Sequence, residues 1–220
     1  MSKATASGHT AVMARRVEPP DSLDFFCTPP WSTRALCEYV LSPSALRGCS
    51  AWEPAAGEGH MAEVLREYCA SVHASDVHDY GKGYAVGSFV GRGADIAEYP
   101  DWCGADFIVT NPPFNLGVEF AIRAINEARR GVALLLRSNW MESRERYELF
   151  QHRPPHTVAV FAERVPMVKG RWDPDASTAT SYAWFVWRLQ DERPETRLMW
   201  IPPGQRKALE RPDDRKRFAG

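Results

Sequence analysis

Apolar residues along the chain fall into short continuous runs separated by segments of helical period, an alternation that builds a mostly parallel sheet covered by helices. Runs at 49–52, 71–75, 106–110, 132–136, 157–161 and 181–189 predict strands. Between them Met61, Val64, Leu65 and Tyr68 share one helical face. A second helix is predicted over 118–130 with Gly131 as its C-cap, and a third over 142–150. Ahead of the first strand, Ser32 is placed to cap a short helix carrying Leu36, Tyr39 and Val40. The glycine-rich stretch 80–93 predicts loop with one weak strand. The last two strands have no helix between them and are expected to pair antiparallel. Trp184, Phe185 and Trp187 on the late strand fit a core position better than a stacking surface. The expected fold class is α/β, a doubly wound, mostly parallel sheet with helices on both faces and a late antiparallel strand.

Composition narrows the class. With 220 residues, 44% hydrophobic and 25% charged, the chain reads as one globular domain. No apolar run approaches the ~20 residues that span a bilayer, and the N-terminus has no secretory apolar core, so no membrane partner is expected. The expected organisation is a flexible leader over 1–23, one domain over 24–202 and a basic tail over 203–220. Five cysteines, an odd number without a Cys-x-x-Cys pair, argue for reduced thiols and a cytoplasmic location. Pro154 and Pro155 break the helix that would align His152 with His156, and no metal site is expected. Net charge is -1 but unevenly spread. Residues 1–136 hold 11 basic and 16 acidic side chains, whereas 137–220 hold 16 basic and 12 acidic. A basic second half fits a polyanion partner; for Arg206 to Arg217 a solvated tail explains the charge equally well.

Two strand ends carry the chemistry. The first strand runs into Glu53-Pro54-Ala55-Ala56-Gly57-Glu58-Gly59, where glycines admit close backbone approach and the next helix presents free N–H groups. Asp76 ends the second strand, where an acid can hold ribose hydroxyls. Ala62 replaces the third glycine of a G-x-G-x-x-G pattern, which weakens a nicotinamide or flavin reading. The strand before Asn111 ends in Asn111-Pro112-Pro113-Phe114. An aryl amino group is a poor nucleophile because its lone pair is delocalised. An amide oxygen and a backbone carbonyl that accept its two hydrogens localise that lone pair for attack. The prolines fix φ and remove competing N–H donors, and Phe114 offers a stacking face for an extruded base.

These residues resemble the amino-methyltransferase branch of the class I S-adenosylmethionine-dependent methyltransferases, and in particular small phage and prophage adenine-N6 DNA methyltransferases. The resemblance covers about 24–189 and implies a Rossmann-like methyltransferase fold with S-adenosyl-L-methionine as cofactor. It implies catalytic roles for Asn111, Pro112, Pro113 and Phe114. It places cofactor contacts at Phe26, Thr28, Pro29, Glu53, Pro54, Ala55, Gly57, Gly59, Asp76, Val77, Asp95, Ile96 and Asn111. Within it, the segment around Thr28-Pro29-Pro30 would close over the methionine part. Only 54 residues separate Gly57 from Asn111, so target-reading segments must follow Asn111, at Arg137 to Arg144 (near 138–146) and over 163–181. Arg144, Arg164, Lys169, Arg171 and Trp172 are the candidate nucleic-acid contacts. The resemblance departs from restriction-associated enzymes in size: no large separate recognition domain is expected, so tight sequence specificity would depend on a homodimer or a partner. The expected partner is DNA. RNA adenine, protein glutamine and a silent cofactor-binding module are the alternatives.

Overall fold

The first helix starts three residues earlier than a cap at Ser32 would place it. Pro29 and Pro30 preset the backbone, and helix α1 spans Pro30–Ala35 with proline in its first turn. The Ser32 hydroxyl instead donates to the Pro29 carbonyl at 2.7 Å. The helix continues as a wider π turn over Leu36–Leu41, followed by α2 at Pro43–Leu46. These details come from a computed structural model that describes residues 24–91, 104–191 and 195–218.

Eight strands form one sheet: β1 (Ser50–Glu53), β2 (Ser71–Asp76), β3 (Ala85–Val86), β4 (Phe107–Thr110), β5 (Gly131–Arg137), β6 (Thr157–Phe161), β7 (Tyr182–Arg188) and β8 (Arg197–Ile201). Their order is β3-β2-β1-β4-β5-β7-β6-β8. β7 runs antiparallel to β5 and β6, and the remaining pairs are parallel. The predicted late antiparallel strand is therefore β7. β8 was not anticipated; it adds to the sheet beside β6.

Strand alternation divides the core between the two faces. Ala133 and Leu135 of β5 meet Trp31 and Leu36 together with Met61 and Leu65 of α3 (His60–Leu65). Val132 and Leu134 point the other way, towards Phe120 and Ala124 of α4 (Gly117–Glu127) and Leu149 of α5 (Arg144–His152). Trp184, Phe185 and Trp187 are core residues, and the indole of Trp184 donates to the Ser32 carbonyl. Among the described residues no helix is long and apolar enough to cross a membrane.

Gly131 is not the C-cap of α4. That helix ends at Glu127 because Ala128 is extended, and Gly131 begins β5. Its role is steric: a Cβ there would lie 2.9 Å from the Trp187 carbonyl oxygen and 3.0 Å from the Phe107 ring. Gly131→Ala should therefore lower stability by about 1–3 kcal/mol, read as a reduced midpoint in thermal denaturation.

The stretch expected as a basic tail is folded onto the domain from 205 to 218. Helices α6 (Gln205–Leu209) and α7 (Asp214–Phe218) dock through a buried ion cluster. Arg34, 1% exposed, gives two hydrogen bonds to Asp214 and two to Glu67, and one more to the Leu209 carbonyl. Glu67 also receives Arg211 and Arg217. The partners lie far apart in sequence, so local charge gave no sign of the cluster.

Candidate active site

β1 and β4 are parallel neighbours, so Glu53 and Asn111 leave the sheet side by side. Strand order reverses at this pair, with β2 and β3 on one side and β5 onward on the other; such a switch point opens a crevice at the strands' carboxyl ends. A cleft of about 790 Å³, counting its open mouth, occupies that place, within the ~300–1,000 Å³ common for small-molecule sites.

One wall is the turn between β1 and α3. Gly59 is left-handed (φ 89°), a conformation that glycine adopts without strain. The Gly57 N–H donates to Asp76 at 2.8 Å, tying this turn to the end of β2. Asp76 also accepts from the His78 N–H. Burial pushes the Asp76 carboxyl above its ordinary range, while the Gly57 and His78 N–H groups oppose the rise. Glu53 is 2% exposed and its Oε2 has no hydrogen-bond partner. Burial holds its carboxyl well above the usual carboxylate range, against the Ala62 N–H, with Asp76 adding to the rise.

The opposite wall is Asn111 and the segment 24–28. The Asn111 Nδ2 donates to the Phe26 carbonyl and the Thr28 hydroxyl, each at 3.1 Å, and lies 3.7 Å from the Met167 sulfur. A carbonyl oxygen can only accept, so this contact fixes which way the amide is turned. Asn111 Oδ1 is left buried and unpartnered. His60 Nδ1 is a third such atom on a cleft-lining residue; the other ring nitrogen of His60 meets the Phe218 carbonyl at 3.0 Å. Buried polar atoms normally have partners, so their concentration at one cleft marks a place for a polar ligand.

Phe114 lies beside this wall. Its N–H donates to Asp24 at 2.8 Å, and its ring packs against Phe26 at 5.3 Å. The Arg137 guanidinium stands 4.2 Å above the ring centroid.

Of the expected cofactor residues, Phe26, Thr28, Glu53, Pro54, Ala55, Asp76, Val77 and Asn111 line the cleft. Pro29 caps α1 behind it, and Gly57 and Gly59 shape the turn. Asp95 and Ile96 lie outside the described residues. Pro113 lines the cleft, whereas Pro112 is buried beneath it. Sequence reasoning missed Phe25, Tyr80 and His60. The Phe25 ring packs against Tyr80, tilted by 45° with centroids 4.8 Å apart, and a Cβ on Gly57 would strike the Phe25 ring. An aromatic four residues after Asp76 was the available signal for Tyr80.

The expected nucleic-acid residues separate. Trp172 is turned inward against Cys27, Val64 and Phe218, because apolar partners bury it; its ring is not a stacking platform. Arg144 is exposed on α5 and paired with Glu148, and Arg171 is exposed and paired with Asp173. Arg164 and Lys169 are exposed, and Lys169 bridges to Phe26. None of these four lines the cleft.

The strand order, the switch-point cleft and the helices on both faces define a Rossmann-like methyltransferase fold. Solved structures share it at low identity, and two of them illustrate the likeness. One is the modification subunit assigned to a type I restriction enzyme of Vibrio vulnificus YJ016, with 15% identity and a TM-score of 0.52 over 88% of this chain and 51% of that one. The other is a Pyrococcus horikoshii protein assigned as an RNA methyltransferase, with 14% identity and a TM-score of 0.50 over 72% of this chain and 83% of that one. The chain thus spans about half the length of the first. No protein-family model and no curated protein sequence matches it.

Proposed function

We propose that this protein is an S-adenosylmethionine-dependent methyltransferase that acts on the exocyclic N6 amino group of adenine in DNA, with the base extruded against Phe114. The observation that carries the reading is the Asn111 amide, held by Phe26 and Thr28 through its nitrogen so that its oxygen is left buried and unpartnered, an acceptor available to an amino group. A preset acceptor costs no reorganisation when the nucleophile arrives. That oxygen and a neighbouring backbone carbonyl take the amino hydrogens and localise the nitrogen lone pair. Bound S-adenosylmethionine would supply an electrophilic sulfonium methyl group.

The cleft fits that cofactor by its donor set. Glu53, with a free carboxylate oxygen at the glycine turn, suits the ammonium of a methionine moiety. Asp76 suits ribose hydroxyls, and Val77, 60% exposed at the cleft, suits an apolar ring face.

Glu53 gives a pH signature. Its raised pKa keeps it neutral, before a cation binds, over a range where free glutamates are ionised. A cation placed beside it favours ionisation, so binding should release a proton. Affinity should rise with pH until the raised pKa is passed, a slope that calorimetry should find absent in Glu53→Gln. The same variant should bind about 10–100-fold more weakly. Because the folded-state pKa is raised, stability is full below the ordinary carboxylate range and is lost as pH climbs through the folded value. Glu53→Gln should accordingly melt at a higher temperature than the wild type at neutral pH.

The test is transfer of tritiated methyl from the cofactor to unmethylated duplex DNA, RNA and protein offered separately. Label recovered from DNA as N6-methyladenine supports the proposal. Label confined to RNA or to protein overturns it.

A further inference from the structure

Arg137 ends β5 and pairs in register with Tyr182 of β7. The short helical turn that follows it, Ser138–Met141, is anchored by Trp140, which is buried against Phe150 and Phe185. The strand and the anchor bring Arg137 to Phe114, where its guanidinium carbon stands 4.2 Å over the ring. Phe26 and Tyr182 also border that ring, but tilted by 43° and 34°. Arg137 is exposed. Arg144, Arg171 and Arg215 are exposed too, yet each pairs with a carboxylate. Among the described residues no carboxylate pairs with Arg137. A cation with no counter-ion among the described residues therefore lies against the aromatic ring of the Asn-Pro-Pro-Phe turn.

We propose that Arg137 is a nucleic-acid contact: its guanidinium holds the face of Phe114 while the site is empty, then yields that face to the extruded base and pairs with the adjacent backbone phosphate. This rests on the reading of the site as a nucleic-acid amino-methyltransferase. A guanidinium is planar and stacks on aromatic faces much as a base does. Exposed cation–π contacts are weak, so the exchange is easily made. The displaced fork matches phosphate oxygens bidentately, and the phosphate supplies the missing counter-ion.

The test measures binding of a fluorescein-labelled oligo(dA) strand to the full chain across a salt titration, with S-adenosylhomocysteine present to prevent turnover. Arg137→Ala should bind the strand about tenfold more weakly. Its slope of log affinity against log salt should be shallower by about 0.7, the value for one lost phosphate contact on a single strand. Arg137→Lys should restore the slope, and calorimetric affinity for S-adenosylmethionine should be the same in all three proteins. An unchanged salt slope in Arg137→Ala overturns the inference and leaves the methyltransferase reading standing. Lost cofactor binding in that variant also overturns it, by making Arg137 a prop for the fold. Wild-type protein that binds cofactor but not the strand overturns the nucleic-acid reading itself.

Discussion

Asn111→Ala should lose methyl transfer by about 10²–10³-fold in single-turnover rate, the cost of removing one preorganised hydrogen-bonding group that acts on the transition state. Cofactor binding should survive, because Glu53, Asp76 and the turn at Gly57 lie on the other wall of the cleft. The contrast is between rate and affinity, so single-turnover kinetics and calorimetry on the same preparation are needed. Thr28→Val gives a graded companion. It removes one of the two oxygen acceptors that orient the Asn111 amide and leaves the Phe26 carbonyl. Its loss should be real but smaller than that of Asn111→Ala, and it should fall on rate. An Asn111→Ala variant with near-normal turnover would contradict the assignment of the amide.

The second large effect concerns stability. Asp214 is fully buried, and its carboxylate takes two hydrogen bonds from Arg34. Asp214→Ala leaves the Arg34 guanidinium buried with only Glu67 and the Leu209 carbonyl, so it should cost about 3–5 kcal/mol, as breaking a buried pair does. For a domain of this size that is roughly 6–20 °C in melting temperature. The same change should weaken cofactor binding. Phe218, at the end of α7, holds His60 through its carbonyl and packs on Trp172 beside Cys27, and both His60 and Cys27 line the cleft. Thermal denaturation with and without S-adenosylmethionine checks both parts.

The parts of the fold visible in the sequence are those set by local pattern. The apolar runs of β1, β4 and β5 are unbroken and short, and the segments between them keep helical spacing, so parallel order followed. β8 was invisible because apolar residues occupy both of its faces: Leu198 and Trp200 are exposed while Met199 and Ile201 turn inward, so the sequence shows no polar–apolar alternation. The docking of 205–218 was hidden for another reason. Its anchor, Arg34 with Asp214, spans 180 positions, and a charge run by itself cannot reveal its partner. Trp172 among basic residues resembled a stacking site, but the Phe218 that buries it lies in the stretch read as a tail. At the cleft, the residue types at Glu53, Asp76 and Asn111 were legible. The orientation of Asn111 was not, since it is fixed by a backbone carbonyl 85 residues away.

In the function proposed, Asn111 presents an acceptor to an adenine amino group in DNA. Its most direct test is to express the wild-type chain and Asn111→Ala in a host without adenine methylation, then digest the DNA to nucleosides for mass spectrometry. N6-methyladenine is expected from the wild type and none above background from the variant. Methyl groups found only on cytosine, no modified nucleoside from a wild-type chain that binds the cofactor, or equal N6-methyladenine from both proteins would contradict it.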